Sequence, residues 1–381
     1  MNNVIITDAS YKHTLGIVRA LGKVGINPFV VSHKKYSLSG LSKYAKGEVI
    51  LKKDYSEFEF IDALKELNID LVILVGTDSF KKIVPWKKRL LARGINIITV
   101  DYEKLNFAFN KMDVYEYAKN IGVPTARTIY PKTIDEVVRL ANNIDYPCVI
   151  KGLYEVGGNI VDYAYSKNDL VEKYAKLCRK YGIREDSGLP MLQEYITGSG
   201  CAFFAVYNNG KCGLTFQHKR IREYPVSGGA SVCAESYKND LVGKYGRALL
   251  DALNWHGVAM VEFKLNKENL PILMEINPKF WGSTDLALEA GVNFPKALVD
   301  IHNGVSVECS NEYKFPFKYH WPLHGDFLHA IDRVKNLPQV LVDLIDPRVK
   351  SNIWLSDFKP TFSMLISFIK NLLLRFIWRR I

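Results

Sequence analysis

The sequence is notable first for what it lacks. Its six cysteines, at positions 148, 178, 201, 212, 233 and 309, include no C-x-x-C pair, and several lie inside apolar runs. A zinc framework needs closely spaced thiolates and a disulfide scaffold a higher cysteine density, so neither is expected and the cysteines read as reduced. No uncharged apolar run reaches the roughly 18 residues of a membrane span. The opening Met1-Asn2-Asn3-Val4-Ile5-Ile6-Thr7-Asp8 has no basic segment leading into an apolar core, so no secretory signal is read and the expected location is cytoplasmic. Walker A, G-x-S-x-G and H-E-x-x-H signatures are missing, which removes three common enzyme classes. His320, His324 and His329 fit no single helical face, so no metal site is read there. There is no internal repeat and no single-residue tract.

What is present describes a folded protein of two or three compact units: 381 residues, 48% hydrophobic and 24% charged, with a formal charge of +11. That charge favours anionic partners, although most of the excess reads as solvated lysine. The one short basic run, His218-Lys219-Arg220-Ile221-Arg222-Glu223, has no interleaved aromatics, so nucleic acid is not an expected partner.

The first hundred residues alternate short apolar runs with helical periods. The pattern predicts strands over 4–7, 28–32, 71–75 and 95–100, and helices over 14–24, 58–67 and 80–93. This is the signature of an open, parallel α/β sheet, Rossmann-like in shape. No G-x-G-x-x-G follows the first strand, so the unit need not hold a dinucleotide. From Asn106 the segments lengthen and gain β character. Strands are predicted over 147–151, 191–196 and 201–207, and a hairpin over 258–265 and 270–276 around Asn266-Lys267-Glu268-Asn269. Residues 304–360 are irregular and rich in proline and aromatics.

The hairpin carries the strongest chemical signal. A loop at 266–269 places Glu262 opposite Leu273, with Glu275 its diagonal neighbour on the same face and Asn277 two residues further on. Two carboxylates and an amide oxygen this close suit a hard cation such as magnesium, whose remaining ligands are waters and phosphate oxygens. Apolar neighbours argue against an acidic solvent face. Lys151 ends an apolar strand, and Lys111 precedes a helix. With the hairpin they form point charges for nucleotide phosphates. Gln193-Glu194-Tyr195-Ile196 ends a strand before Thr197-Gly198-Ser199-Gly200, and a linker of this kind can offer backbone groups to an adenine edge. The basic run followed by Gly228-Gly229 can hold an anion.

Taken in order, these elements resemble an ATP-grasp ligase of the type related to the ATP-binding domains of carbamoyl-phosphate synthase. The order is Asn110-Lys111, Ile121-Gly122-Val123-Pro124-Thr125, Pro147-x-Val149-x-Lys151, Gln193-Glu194-Tyr195-Ile196, the basic run with its Gly-Gly, Val261-Glu262-Phe263-Lys264, and Met274-Glu275-Ile276-Asn277-Pro278-Lys279-Phe280-Trp281-Gly282-Ser283. The resemblance implies a Rossmann-like pre-ATP-grasp domain over 1–105 and a two-lobed α+β ATP-grasp domain over 106–303, whose lid spans about 120–192. A C-terminal extension follows over 304–360, and then a basic tail helix over 361–381. It implies an ADP-forming ligase that uses ATP and magnesium, or manganese in its place, to activate a carboxylate as an acyl phosphate and join it to an amine. It also implies roles: Lys111 and Lys151 on the phosphates; Gln193, Glu194, Tyr195 and Ile196 around adenosine; Glu262, Glu275 and Asn277 on the metal. Arg220, Arg222 and Lys279 would meet the transferred phosphoryl group or the substrate, and Gly157 and Gly158 would belong to a mobile lid. Two departures stand out. Lys279 occupies a position where the family usually has arginine, and Gly152 one where it usually has proline. The runner-up reading is a non-catalytic ATP-binding or membrane-associated adaptor.

In the tail, Ser363, Ser367, Lys370, Asn371, Arg375 and Arg379 recur at three- to four-residue spacing, and apolar residues up to Trp378 cover the rest. Two readings stand side by side. The helix either lies on the inner membrane surface, near small-molecule or lipid-linked substrates, or packs on the core or a second copy as a homodimer contact.

Overall fold

The structure, a computed structural model, describes residues 3–154, 160–226 and 228–378, and for Ser187 and residues 376–378 the backbone alone. The described strands form three sheets. Near the N-terminus, β1 (Asn3–Ile6), β2 (Asn27–Ser32), β3 (Gly47–Ile50), β4 (Leu71–Ile73) and β5 (Asn96–Ile97) run parallel in the order β3-β2-β1-β4-β5. The central strands are apolar on both faces because helices cover both, as a parallel sheet requires. The sequence pattern missed β3, an edge strand with few apolar residues. The helix expected over 80–93 is broken: a helix at Thr77–Ile83 passes into a 3-10 turn at Val84–Trp86 and then a short helix at Lys87–Leu91. Pro85 supplies no N–H to continue the first helix.

The second sheet is antiparallel: β6 (Thr128–Ile129), β7 (Cys148–Lys151), β8 (Val161–Ala164) and β9 (Met191–Glu194), ordered β6-β9-β7-β8. The third is larger. It comprises β10 (Gly200–Asn208), β11 (Lys211–Tyr224), β12 (Ala230–Ser236), β13 (Gly257–Leu265), β14 (Pro271–Asn277), β15 (Lys318–His320) and β16 (Lys350–Ser351), ordered β14-β13-β10-β11-β12-β15-β16. The last two strands come from the stretch that reads as irregular.

Packing divides the molecule unevenly. One apolar cluster joins Ile5, Phe60 and Phe109 to Tyr207, Trp255 and Phe263. Another joins Ile6 and Ile17 to Phe204, Trp281 and Trp321. Both weld the parallel sheet to the large one, which is antiparallel except where β15 pairs with β16. A third cluster, with Val137, Ile150, Leu170, Tyr174 and Leu192, keeps to the small sheet and its helices. The C-terminal segment returns to the beginning of the chain. Asp357 accepts from Arg19 Nε at 2.8 Å, Ser42 Oγ at 2.7 Å and the Lys43 N–H at 2.9 Å. The helix Phe358–Trp378 starts there. No helix among the described residues is long and apolar enough to cross a membrane.

Candidate active site

Between the two antiparallel sheets, and closed at one end by loops of the parallel sheet, lies a cleft of about 820 Å³. The β13–β14 hairpin forms its floor. Its register differs from the expected one: Phe263 pairs with Leu273, but Glu262 pairs directly with Glu275 and Met260 with Asn277. The turn is one residue longer than expected, with Leu265 opposite Pro271, and Met274 is the extra residue of a β-bulge; together they advance the second strand by two and bring the two carboxylates face to face.

Each acidic group in this floor has a basic neighbour. Arg220 Nη2 lies 2.8 Å from Glu262 Oε2, and Lys111 Nζ lies 3.6 Å from Glu275 Oε2. The Asn277 amide donates to Glu275 Oε1 at 2.8 Å, and Lys279 Nζ donates to Asn277 Oδ1 at 3.1 Å. Lys151 Nζ donates to Tyr115 Oη and to the Met274 carbonyl, both at 3.2 Å. Burial pushes the Glu275 carboxyl up, but Lys111, Lys151, the Asn277 amide and Lys279 outweigh it and hold the group down at about 2. Burial raises Glu262, Arg220 opposes this, and the facing Glu275 adds to it, so the net direction is upward. One carboxylate is firmly ionised and its partner reluctantly so.

This donor set fits a divalent hard cation. Glu262, Glu275 and Asn277 supply three oxygens, and an ion between them would offset both the burial that lifts Glu262 and the smaller repulsion from Glu275. Among the described residues no three His, Cys, Asp or Glu gather into a metal cluster, so such an ion needs further oxygens from water or a phosphate chain.

Opposite the floor, β9 leads into the segment 195–199, which joins it to β10. Gln193, Glu194, Tyr195 and Ile196 all line the cleft. Glu194 is held from both sides by Arg127, whose N–H donates to Glu194 Oε1 at 3.0 Å and whose carbonyl accepts from the Glu194 N–H at 3.0 Å. The Ile196 carbonyl accepts from Lys264 Nζ at 2.9 Å. The Tyr195 ring meets Tyr163 edge-on. Gly198 is obligatory, because a Cβ there would stand 1.6 Å from the Leu265 carbonyl oxygen. Gly152 also has a reason: its N–H donates to the Ile160 carbonyl, a bond proline could not make.

The two arginines of the basic run part company. Arg220 lines the cleft, contacting Glu223 and the Gly229 carbonyl as well as Glu262. Arg222 is buried on the other side of the sheet, its guanidinium bonded to Asp326 at 2.6 and 2.7 Å and to Asp343 at 2.7 Å. The structure therefore takes Arg222 out of the cleft. Lys111, Lys151, Gln193 to Ile196, Arg220, Glu262, Glu275, Asn277 and Lys279 come together. Gly157 and Gly158 lie outside the described residues.

The sequence reading gave no role to several contributors to the cleft. Lys264 is one, although its i+2 spacing from Glu262 was a signal that it shares the face. Glu223, which closes the basic run, pairs with Arg220, and Tyr163 lines the cleft with no motif to mark it. Tyr11 and His13 after β1, and Gly76 and Thr77 after β4, close the far end. Their signal was topological, since they follow the carboxyl ends of neighbouring parallel strands, where crevices form.

Known proteins match this chain in the same places. A family model described as the carbamoyl-phosphate synthase L chain ATP-binding domain matches residues 110–183, and one described as ATP-grasp in the biosynthetic pathway with Ter operon matches residues 191–322. The carbamoyl phosphate synthase large chain of Clostridium acetobutylicum is 22% identical over 228 residues, covering 58% of this chain and 21% of the relative. That of Pyrococcus furiosus is 20% identical over 277 residues, covering 69% of this chain and 24% of the relative. The chain thus spans only about a fifth to a quarter of the length of these relatives. Among solved structures, the biotin carboxylase domain of Hydrogenobacter thermophilus 2-oxoglutarate carboxylase, in complex with MgADP and bicarbonate, aligns with a TM-score of 0.68 at 17% identity over 83% of this chain and 73% of that one. Staphylococcus aureus N5-carboxyaminoimidazole synthetase aligns with a TM-score of 0.67 at 15% identity over 88% and 86%. The ATP-grasp resemblance drawn from the ordered motifs is borne out, and the mixed α/β fold is one these carboxylases and synthetases share.

Proposed function

We propose, from the premise that residues 110–322 carry an ATP-grasp domain, that this chain is an ADP-forming ligase that activates a small-molecule carboxylate with ATP and couples it to an amine. The observation that carries the reading is the hairpin floor: Glu262 and Glu275 face each other beside Asn277, ringed by Lys111, Lys151, Arg220 and Lys279. A bound magnesium ion would supply charge neutralisation between the phosphate oxygens and these carboxylates.

The residues act by position and charge. Glu262, Glu275 and Asn277 would hold the ion. Lys111 and Lys151 bear on the phosphate chain, each already anchored to the floor. Residues 193–196 cradle the adenosine end. Arg220, which reaches the cleft beside Glu262, bears on the transferred phosphoryl group, and Lys279 meets the acceptor carboxylate from the floor. A carboxylate oxygen attacks the γ-phosphorus and ADP departs, leaving an acyl phosphate. The amine then attacks the acyl carbon and inorganic phosphate leaves. The carboxylate alone would have to expel an oxide-like group, which is why activation is needed. Alignment and charge cancellation do most of the work in such transfers. The proposed units are 1–105, 106–303 with a lid over about 120–192, 304–360 and 361–381; the separate apolar cluster of the small sheet supports a lid that moves as one piece.

The test is a screen of carboxylate and amine pairs with ATP and magnesium, read by nucleotide product. ADP formation that depends on a carboxylate is expected. Release of AMP and pyrophosphate would overturn the assignment.

A further inference from the structure

The helix Phe358–Trp378 has two apolar stripes, and the protein covers one of them. On the inner side Thr361 and Met364 are buried, and Phe368 packs on Phe327 with ring centres 5.9 Å apart. Further along, Arg375 Nη2 bonds the Asp332 carboxylate at 2.6 and 2.9 Å, and its guanidinium lies 5.7 Å from the Tyr224 ring centre. On the outer side Phe362, Leu365, Ile366, Ile369, Leu373 and Leu374 are each between 41% and 58% exposed. They recur every three or four residues and so share one face. Phe358, 58% exposed, stacks on Phe362 and lengthens the strip. At 1.5 Å per residue the strip runs about 24 Å. A shallow groove of about 410 Å³ opens along it between Ile366, Ile369 and Leu373. Continuous apolar surface of this size marks an interaction site.

Charge selects the occupant. From Phe358 to Ile381 the sequence has Lys359, Lys370, Arg375, Arg379 and Arg380 and not one acidic residue. Lys359 and Lys370 are exposed beside the strip. A second copy laid on the same face would add cations and bring no acidic residue of this segment to offset them. Spanning is excluded for this helix, whose charged residues include Lys370 near its middle. We propose that the outer strip lies in the headgroup region of an anionic lipid surface, with the apolar side chains at the acyl boundary and Lys359 and Lys370 at the phosphates. The Arg375–Tyr224 contact then sets the cleft rim beside that surface, because Pro225, Gly228 and Gly229, which follow Tyr224, line the cleft.

Flotation of the full chain with vesicles of phosphatidylcholine, alone or mixed with phosphatidylglycerol, tests this independently of turnover. Binding is expected to the mixed vesicles and to fall steeply with salt. The double variant Leu365→Glu/Ile369→Glu, and separately Lys359→Glu/Lys370→Glu, should each lose about tenfold or more of that binding. All these side chains are exposed, so unchanged melting temperatures should accompany the loss. The proposal is overturned if the full chain binds neither vesicle or if the variants bind as well as the parent. It is also overturned if sedimentation velocity shows a dimer that Leu365→Glu/Ile369→Glu splits, which would make the strip a contact between copies.

Discussion

Arg220 and Arg222 stand two positions apart on β11, yet they serve opposite sides of the sheet. Residues i and i+2 of a regular strand share a face. Here Arg220 pairs with Ala234 and Arg222 with Cys233, so Ile221 is inserted between them and the strand bulges. The cleft side receives an arginine that is 20% exposed and bonded to Glu262. The far side receives an arginine that is 5% exposed and locked between Asp326 and Asp343, with Lys318 also on Asp343 and His320 on Asp326. The first pair faces the cleft and the second is closed off from it. The same side chain lines the cleft in one place and is buried behind the sheet in the other, and a single inserted residue decides which.

The largest effect should come from breaking the closed side. Arg222→Met leaves Asp326 buried without its main countercharge and should cost about 3–5 kcal/mol of stability. Urea denaturation should show this as a lower midpoint, while the activity of the molecules that remain folded stays near the parent value. On the open side, Glu275→Gln should behave the other way. Turnover should fall about a hundred- to a thousandfold through loss of one charge at the phosphoryl-transfer centre, with a melting temperature close to the parent's. Near-normal turnover would make the hairpin structural. Arg220→Gln sharpens the contrast with its neighbour. It should slow turnover by about ten- to a hundredfold, and it should increase the gain in melting temperature from magnesium with nucleotide, because Glu262 then lacks its strongest countercharge.

Much of this was legible in the sequence, and the failures have physical causes. The alternating pattern placed most of the first hundred residues, since strands buried on both faces must be apolar throughout. The floor residues were legible because acidic side chains flanked by Phe263, Met274 and Ile276 make no sense as a solvent face. Register was not legible. The bulges at Met274 and Ile221 carry no local signature; each is set by what the partner strand and the layers beneath it accept. Nor was the reach of residues 304–360. Asp326, Asp343 and Asp357 bond Arg222 and Arg19, partners more than a hundred residues away, and no local window carries such pairings.

The smallest expected effect concerns pH. Burial, with Arg220 adding to it, pushes His218 down to about 3, and neither of its ring nitrogens has a hydrogen-bond partner. Burial likewise holds His13 and His324 near 3 and His256 near 4. Each is neutral when folded but takes up a proton near pH 6.5 when unfolded. Their contribution to stability is therefore complete above about pH 6.5 and is lost as the pH falls towards the folded values. His218→Leu should reduce the slope of unfolding free energy against pH below that point by up to about 1.4 kcal/mol per pH unit. An unchanged slope would mean that His218 is protonated in the fold.

The most direct test of the central claim follows oxygen. If the cleft makes an acyl phosphate, a substrate carboxylate labelled with oxygen-18 must give one labelled oxygen to inorganic phosphate during ligation, in equal amount with the ADP formed. That transfer is the predicted result, and it should vanish in Glu275→Gln together with turnover. Unlabelled phosphate, or label appearing in AMP, would contradict the account.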